Sequence, residues 1–393
     1  MNTEIVIVGM ARTALGSFQG ALSSLPAAKL GAVAIQAALG RAKVSPDQVS
    51  EVILGNVLQA GQGQAPARQA AIFAGLPKSV GATTIHKVCG SGMKALMMAT
   101  QAVKLGDADV VVAGGMESMS NAPYLMPGAR TGYRMGHQQV IDSMVFDGLW
   151  DPYNNQHMGN CAELCAKEYG FTRQAQDAYA IESFKRAQAA QKDGKFASEI
   201  AAVEVTGRKG EITRVDADEG PGKVQFDKIP TLKPAFDKAG TVTAANASTI
   251  NDGAAALVVM SAEKAKALGV KPLARIVSYA GFAQDPVWFT TAPAEAMRRA
   301  LKKAGWEASQ VDLWEVNEAF GVVAMAAAKD LSISADKLNV WGGAISLGHP
   351  IGASGARIVI TLLSALADRG LKRGVAGICI GGGEATAVCV ERV

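Results

Sequence analysis

The chain is poor in charge, in aromatic rings and in histidine. Asp, Glu, Lys and Arg make up 19% of 393 residues, Phe, Trp and Tyr 6%, and histidine occurs four times. So little charge excludes an expanded, self-repelling chain. No dense block of Lys and Arg is present, and the net charge is only +4. That balance argues against a nucleic-acid partner and suits a small anionic substrate. No apolar stretch is expected to span a membrane, and no membrane partner is expected. Cysteine is scarce, odd in number at five, and widely spread. This excludes a disulfide framework and points to a reducing compartment, read as the cytoplasm. Met1-Asn2-Thr3-Glu4 leads directly into Ile5-Val6-Ile7-Val8, so no secretory leader is expected.

What is abundant is apolar residues, at 49%, and glycine, at 43 residues. That is the composition of a well-packed chain with many tight turns, and its length suggests two or three domains. Ile5 to Val8, Val52 to Leu54 and Val110 to Ala113 are continuous apolar runs, as in strands covered on both faces. Helical patterns lie between them, one starting near Pro26 with Leu30, Val33 and Ala37 on a face. Alternating strands and helices imply an α/β fold around a central sheet. From Asn121 the texture changes to Pro, Gly and polar residues, and regular character returns at Ala254 to Met260. Residues 121–248 are therefore read as a loop domain inserted into the scaffold, with one clear helix capped by Thr172.

One stretch carries the chemistry. After Thr84-Ile85-His86-Lys87-Val88 come Cys89-Gly90-Ser91-Gly92, and then Met93, Leu96, Met97, Thr100 and Val103 at helical spacing. Cys89 thus sits at a strand-to-helix turn near a helix N-terminus, which favours the nucleophilic thiolate. The final third repeats the first. Val49 to Asn56 resembles Val311 to Glu318, Val112 to Glu117 resembles Cys379 to Glu384, and the Cys89 turn resembles His349-Pro350-Ile351-Gly352. Three matches in one order imply a duplicated domain whose halves pair about a pseudo-twofold axis. Cys89, His349 and Cys379 could then meet at one centre. His157, Cys161 and Cys165 fall on one helix face but lack a fourth ligand and a close Cys pair, so no metal site is expected.

The chain resembles the thiolase family over essentially its full length, closest to the short-chain acetoacetyl-CoA thiolases. The resemblance rests on Asn2 to Gly9 with Ala11-Arg12-Thr13, Gly114 to Ser120, His157-Met158-Gly159, Asn246-Ala247-Ser248, Asn251 to Ala256, Asn317-Glu318-Ala319-Phe320, Gly348-His349-Pro350 and Cys379-Ile380-Gly381-Gly382-Gly383. It implies a duplicated αβαβα layered fold of two five-stranded halves. The first half is 1–120 plus 249–270, the loop domain 121–248, and the second half 271–393. It also implies a reversible Claisen condensation of two acetyl-CoA to acetoacetyl-CoA and CoA.

By that resemblance Cys89 carries the acetyl group, His349 takes its proton, and Cys379 moves the α-proton. His349 and a water held by Asn317 face the enolate, and the N–H groups of Cys89 and Gly381 face the tetrahedral oxyanion. Leu149, His157, Met158, Phe236, Ala244, Ser248, Ala319 and Phe320 would line the pantetheine channel. Lys223, with Arg208, Lys209 and Lys228, is a candidate for the CoA phosphates. CoA enters as substrate, with no cofactor required beyond it. Ala244-Ala245-Asn246-Ala247 matches a potassium-site loop of one subgroup, but that subgroup's tyrosine before Phe226 is absent, so potassium activation stays open. The family is usually a homotetramer, and residues 121–145 would form its tetramerisation loop. A longer-chain 3-ketoacyl-CoA thiolase and a non-catalytic acyl-CoA binder are the competing readings.

Overall fold

The computed structural model describes residues 3–393, so Asn2 of the first motif lies outside the described residues. In the first half, β1 (Ile5–Thr13) is followed by α1 (Ala27–Ala42), β2 (Glu51–Gly55), α2 (Pro66–Phe73), β3 (Gly81–Ile85), α3 (Ser91–Leu105) and β4 (Val110–Ser118). Residues 121–248 hold short two-stranded ribbons and two longer helices, α4 (Met158–Tyr169) and α5 (Arg173–Lys192). The scaffold resumes with β5 (Asn251–Ser261), β6 (Ala274–Ala283), α6 (Ala292–Ala304), β7 (Leu313–Val316), α7 (Gly321–Leu331), α8 (Ile351–Asp368), β8 (Arg373–Ile380) and β9 (Glu384–Arg392). Thr172 caps α5 as its sequence suggests, its side chain accepting from the Ala175 N–H.

One eleven-stranded sheet runs β7-β8-β9-β6-β1-β5-β4-β2-β3, with Gly16–Ser17 and Ile200–Ala201 joined at its side. The first half contributes five strands to that path and the second four. Where a fifth would lie, a single parallel bridge links Trp314 to Leu338. The expectation of two separate five-stranded halves is thus corrected. The halves meet through β1 and β6, which pair at only two positions, Val6 with Arg275 and Ile7 with Ala274. So narrow a seam lets the two parts of the sheet lie on opposite sides of shared helices.

Those shared helices are α3 and α8. They pack against each other, α3 on β2, β4 and β5, and α8 on strands of both halves. Helix α1 covers the outer face of the first half and α6 that of the second. The layers are therefore helix, sheet, helix, sheet, helix. The central helices cross closely: a Cβ on Gly355 would sit 2.4 Å from the Met93 backbone nitrogen. Helix α8 is buried from Ile351 through Leu366. By length and composition it could cross a membrane, contrary to the sequence expectation that no stretch reaches that length. Its apolar circumference instead serves a core helix with sheet on both sides.

The strand register also sharpens the duplication. Gly55 pairs with Gly115, and Val316 with Gly377. Two residues further along, Glu117 faces Gly253 and Cys379 faces Ala385. Glu117 and Cys379 are therefore counterparts, as are Asn56 and Asn317. The sequence pairing of Val112 to Glu117 with Cys379 to Glu384 is out of register, because the Gly114-Gly115 pair lies inside β4 and the later glycines form a turn after β8, and that of Val49 to Asn56 with Val311 to Glu318 is off by one residue. Cys89 and His349 each stand two residues before a central helix begins, at Ser91 and Ile351.

Candidate active site

The turn that carries Cys89 is locked from within. The Gly90 N–H donates to the Lys87 carbonyl, and Ser91 Oγ accepts from the Lys87 N–H and donates to the Val88 carbonyl at 2.7 Å. These bonds hold Val88 at φ 43°, a left-handed conformation that a β-branched residue rarely adopts. Such strain costs about 1–3 kcal/mol and persists only where the surroundings over-determine it. His86 joins in, its Nδ1 accepting from the Val88 N–H. His86 thus braces the turn.

Cys89 faces a cavity of about 270 Å³. The helix N-terminus does not decide its ionisation, as the sequence suggested it would. Burial pushes the thiol up to about 11; the Gly381 and Cys89 backbone N–H groups oppose this, and the Glu117 carboxylate adds to it. Cys89 rests as a thiol.

His349 enters from the start of α8, its N–H donating to Asn251 Oδ1 at 3.0 Å. Ser354 Oγ donates to the Pro350 carbonyl at 2.9 Å and lies 2.6 Å from His349 Nδ1. With the hydroxyl proton on the Pro350 carbonyl, the imidazole carries its own on Nδ1 and presents an unprotonated Nε2. That Nε2 has no partner among the described residues. Burial, helped by the charge of Arg357, lowers the imidazole to about 3, so it is neutral at working pH and holds a proton only weakly. No hydrogen bond joins it to Cys89 in this state.

Cys379 is the penultimate residue of β8, fully buried, and burial together with nearby Cys89 pushes its thiol well above the ordinary range. Gly382 and Gly383 then turn the chain at φ 92° and 84°, which glycine alone adopts freely. Asn317 extends β7, tied by its N–H to the Gly377 carbonyl. Both polar atoms of its side chain are buried without a partner. Unpaired buried polar groups are expensive, and they concentrate where a ligand or reacting group completes them.

The cavity is lined by Cys89, His349, Gly381, Leu149, His157, Met158, Phe236, Ser248 and Phe320, nine of the residues named from the sequence. His157 stacks on Phe236 with ring centroids 4.7 Å apart. Asn317, Cys379 and Ala319 do not line it; all three are buried. Ala244 and Lys223 line a separate groove of about 430 Å³, with Lys228, that shares Thr249 with the cavity. Lys223 pairs with Glu219 at 3.2 Å. Thr249 and Ile250 also line the cavity and do not stand out in the sequence, since each reads as ordinary loop; Met119 and Ile351 line it from within two of the motif stretches. Phe289, noticeable in sequence only as part of an aromatic stretch, lies there too. Cys161 and Cys165 are buried packing residues of α4, and Cys389 lies in the core of β9.

Cys89, His349 and Gly381 thus share one mostly apolar cavity, and Cys379 lies near Cys89. Residues 5–263 match the model for the thiolase N-terminal domain, and residues 270–392 the model for the thiolase C-terminal domain. The chain is 57% identical over 390 residues to acetyl-CoA acetyltransferase 2 of Arabidopsis thaliana, covering 99% of this chain and 97% of that one. It is 56% identical to an acetyl-CoA acetyltransferase of Cupriavidus necator over 99% of this chain and 100% of that one. A Pseudomonas aeruginosa protein of the same name is 54% identical over 99% of both. The chain belongs to the thiolase family.

Proposed function

We infer that this enzyme is an acyltransferase that interconverts acetoacetyl-CoA plus CoA with two acetyl-CoA. The observation that carries the reading is the unpaired His349 Nε2 and the Cys89 thiol on one cavity, with a second buried thiol, Cys379, near Cys89. Full-length likeness to proteins named acetyl-CoA acetyltransferase supports it.

In the cleavage direction, His349 Nε2 takes the Cys89 proton and the thiolate attacks the 3-keto carbon. The oxyanion is met by the N–H groups of Cys89 and Gly381. As the carbon–carbon bond breaks, the enolate of acetyl-CoA forms against the protonated His349 and, following the family pattern, a water held by Asn317. Cys379, held protonated by burial, gives its proton to the enolate carbon and regains one from His349. CoA then gives its thiol proton to His349 and attacks acetyl-Cys89. The departing Cys89 sulfur takes that proton back. Every step reverses for condensation. The chemistry divides between two cysteines, one carrying the acyl group and the other moving a proton.

The aromatic wall at Phe289 and Phe320, ring centroids 6.3 Å apart, supports a short acyl chain. The groove at Lys223 and Lys228 supports a place for the CoA phosphates. A cytoplasmic homotetramer fits five unpaired cysteines and the exposed Tyr124, Met126 and Met135. Light scattering at working concentration tests the assembly. The test of function is CoA-dependent cleavage of acetoacetyl-CoA, 2-methylacetoacetyl-CoA and a longer 3-ketoacyl-CoA. Cleavage of the short substrates, lost in Cys89→Ala, supports the reading. Rates that rise with chain length would make it a fatty-acyl thiolase instead. CoA binding with no cleavage of any of them would leave only a binder.

A further inference from the structure

Glu117 is fully buried yet belongs to no step of the reaction above. Its carboxylate accepts four hydrogen bonds. Asn56 Nδ2 (2.8 Å) and the Leu58 N–H (3.1 Å) reach Oε1; the Val57 N–H (3.0 Å) and the Gly352 N–H (2.9 Å) reach Oε2. Burial pushes Glu117 up to about 7 and these four donors oppose that rise; in its ionised form the carboxylate accepts only and matches all four.

The donors come from the two turns that carry the reacting groups. Gly352 lies in the first turn of α8, three residues past His349. Asn56 to Leu58 follow β2. The Asn56 N–H donates to the Ile85 carbonyl at the end of the strand leading to Cys89, and Val57 and Leu58 pack in one cluster with Ile351 and Cys89. Glu117 is also the register counterpart of Cys379, and Asn56 that of Asn317. The duplicated scaffold therefore put a carboxylate where the other half has its proton carrier.

We propose that Glu117 is a positioning residue for the acyl-transfer reaction, clamping the Cys89 turn and the His349 turn at their working separation. The proposal rests on the acyl-transfer reading above. Displacement of a reacting pair by about an ångström costs on the order of 100-fold in rate. Glu117→Gln is the sharpest probe, because it keeps volume but turns an acceptor oxygen into an NH₂ that faces N–H donors.

Steady-state cleavage of acetoacetyl-CoA, the burst of CoA released when enzyme meets acetyl-CoA, and thermal melting would be measured for wild type, Glu117→Gln and Asn56→Ala. For Glu117→Gln we expect kcat and burst rate to fall together by roughly 10- to 100-fold, with KM nearly unchanged. Asn56→Ala, which removes one donor of four, should fall less in the same direction. An unaltered kcat per folded molecule in Glu117→Gln, with only a lower melting temperature, would overturn the proposal. Should Glu117→Gln not fold, an unaltered kcat in Asn56→Ala overturns it. Inactive wild type would instead sink the acyl-transfer reading, so the two failures are distinguishable.

Discussion

Asn56 and Asn317 extend equivalent strands of the two halves, and the protein treats them differently. Asn56 Nδ2 donates to Glu117 and to the Met116 carbonyl, inside a network that includes three backbone N–H groups. Asn317 has neither side-chain atom paired, and the bare His349 Nε2 lies in the same half. Duplication supplied the same three positions twice: a strand-end asparagine, a helix-start residue and a residue on the next strand. In the first half they are Asn56, Cys89 and Glu117; in the second, Asn317, His349 and Cys379. Asn56 is tied down through its Nδ2 alone, its Oδ1 being buried without a partner, whereas neither polar atom of Asn317 is paired. An unpaired buried donor or acceptor gains most from a developing charge, so Asn317 and His349 Nε2 are the better placed to meet one.

The comparison is broken most severely by Cys89→Ala, the first-half position proposed to carry the acyl group. Cleavage of acetoacetyl-CoA should fall to background while the melting temperature stays near that of wild type. His349→Ala and Cys379→Ala should each lose roughly 100- to 10,000-fold in kcat, the range for a positioned proton carrier. The two should differ in kind. Cys379→Ala should still release one CoA per enzyme from acetyl-CoA in a rapid-quench assay, and His349→Ala should release it slowly. Asn317→Ala should cost about 100- to 1,000-fold, as for loss of one oxyanion donor. A normal rate in that variant would mean that its unpaired atoms serve no enolate.

Smaller effects sharpen the contrast. His349 titrates near 3 in the folded chain because it is buried, against an ordinary 6.5. Between those values the unfolded chain holds a proton that the folded chain refuses, so this residue's share of stability is lost as pH falls through the window. His349→Asn should therefore lose less melting temperature than wild type between about pH 6.5 and about 3. The smallest effect expected is that of potassium, whose addition should leave cleavage unchanged.

Much of this was legible in the order of residues. The apolar runs, the helical spacing after Cys89 and the Thr172 cap announce their elements because each signal is local. Cys89, His349 and Cys379 stood out because each adjoins a glycine or proline turn that an ordinary core residue would not need. Other features depended on distant partners. The seam between β1 and β6 involves two residue pairs and leaves no pattern of its own. The high Cys89 thiol reflects burial by several segments, which outweighs the helix end seen from sequence. Glu117 closes an apolar strand and looks like any residue at a strand end; its donors come from residues 56–58 and 352. Ser354, five residues past His349, fixes the tautomer only because α8 brings its hydroxyl back over the ring.

The division of labour between the two cysteines is tested most directly by mass spectrometry of enzyme quenched after mixing with acetyl-CoA. Wild type and Cys379→Ala would be digested and the acetylated peptide located. One acetyl group on the peptide containing Cys89 in both proteins, with cleavage of acetoacetyl-CoA lost only in the variant, is the predicted result. Acetyl found on Cys379, or a Cys379→Ala enzyme that cleaves acetoacetyl-CoA at the wild-type rate, would contradict it.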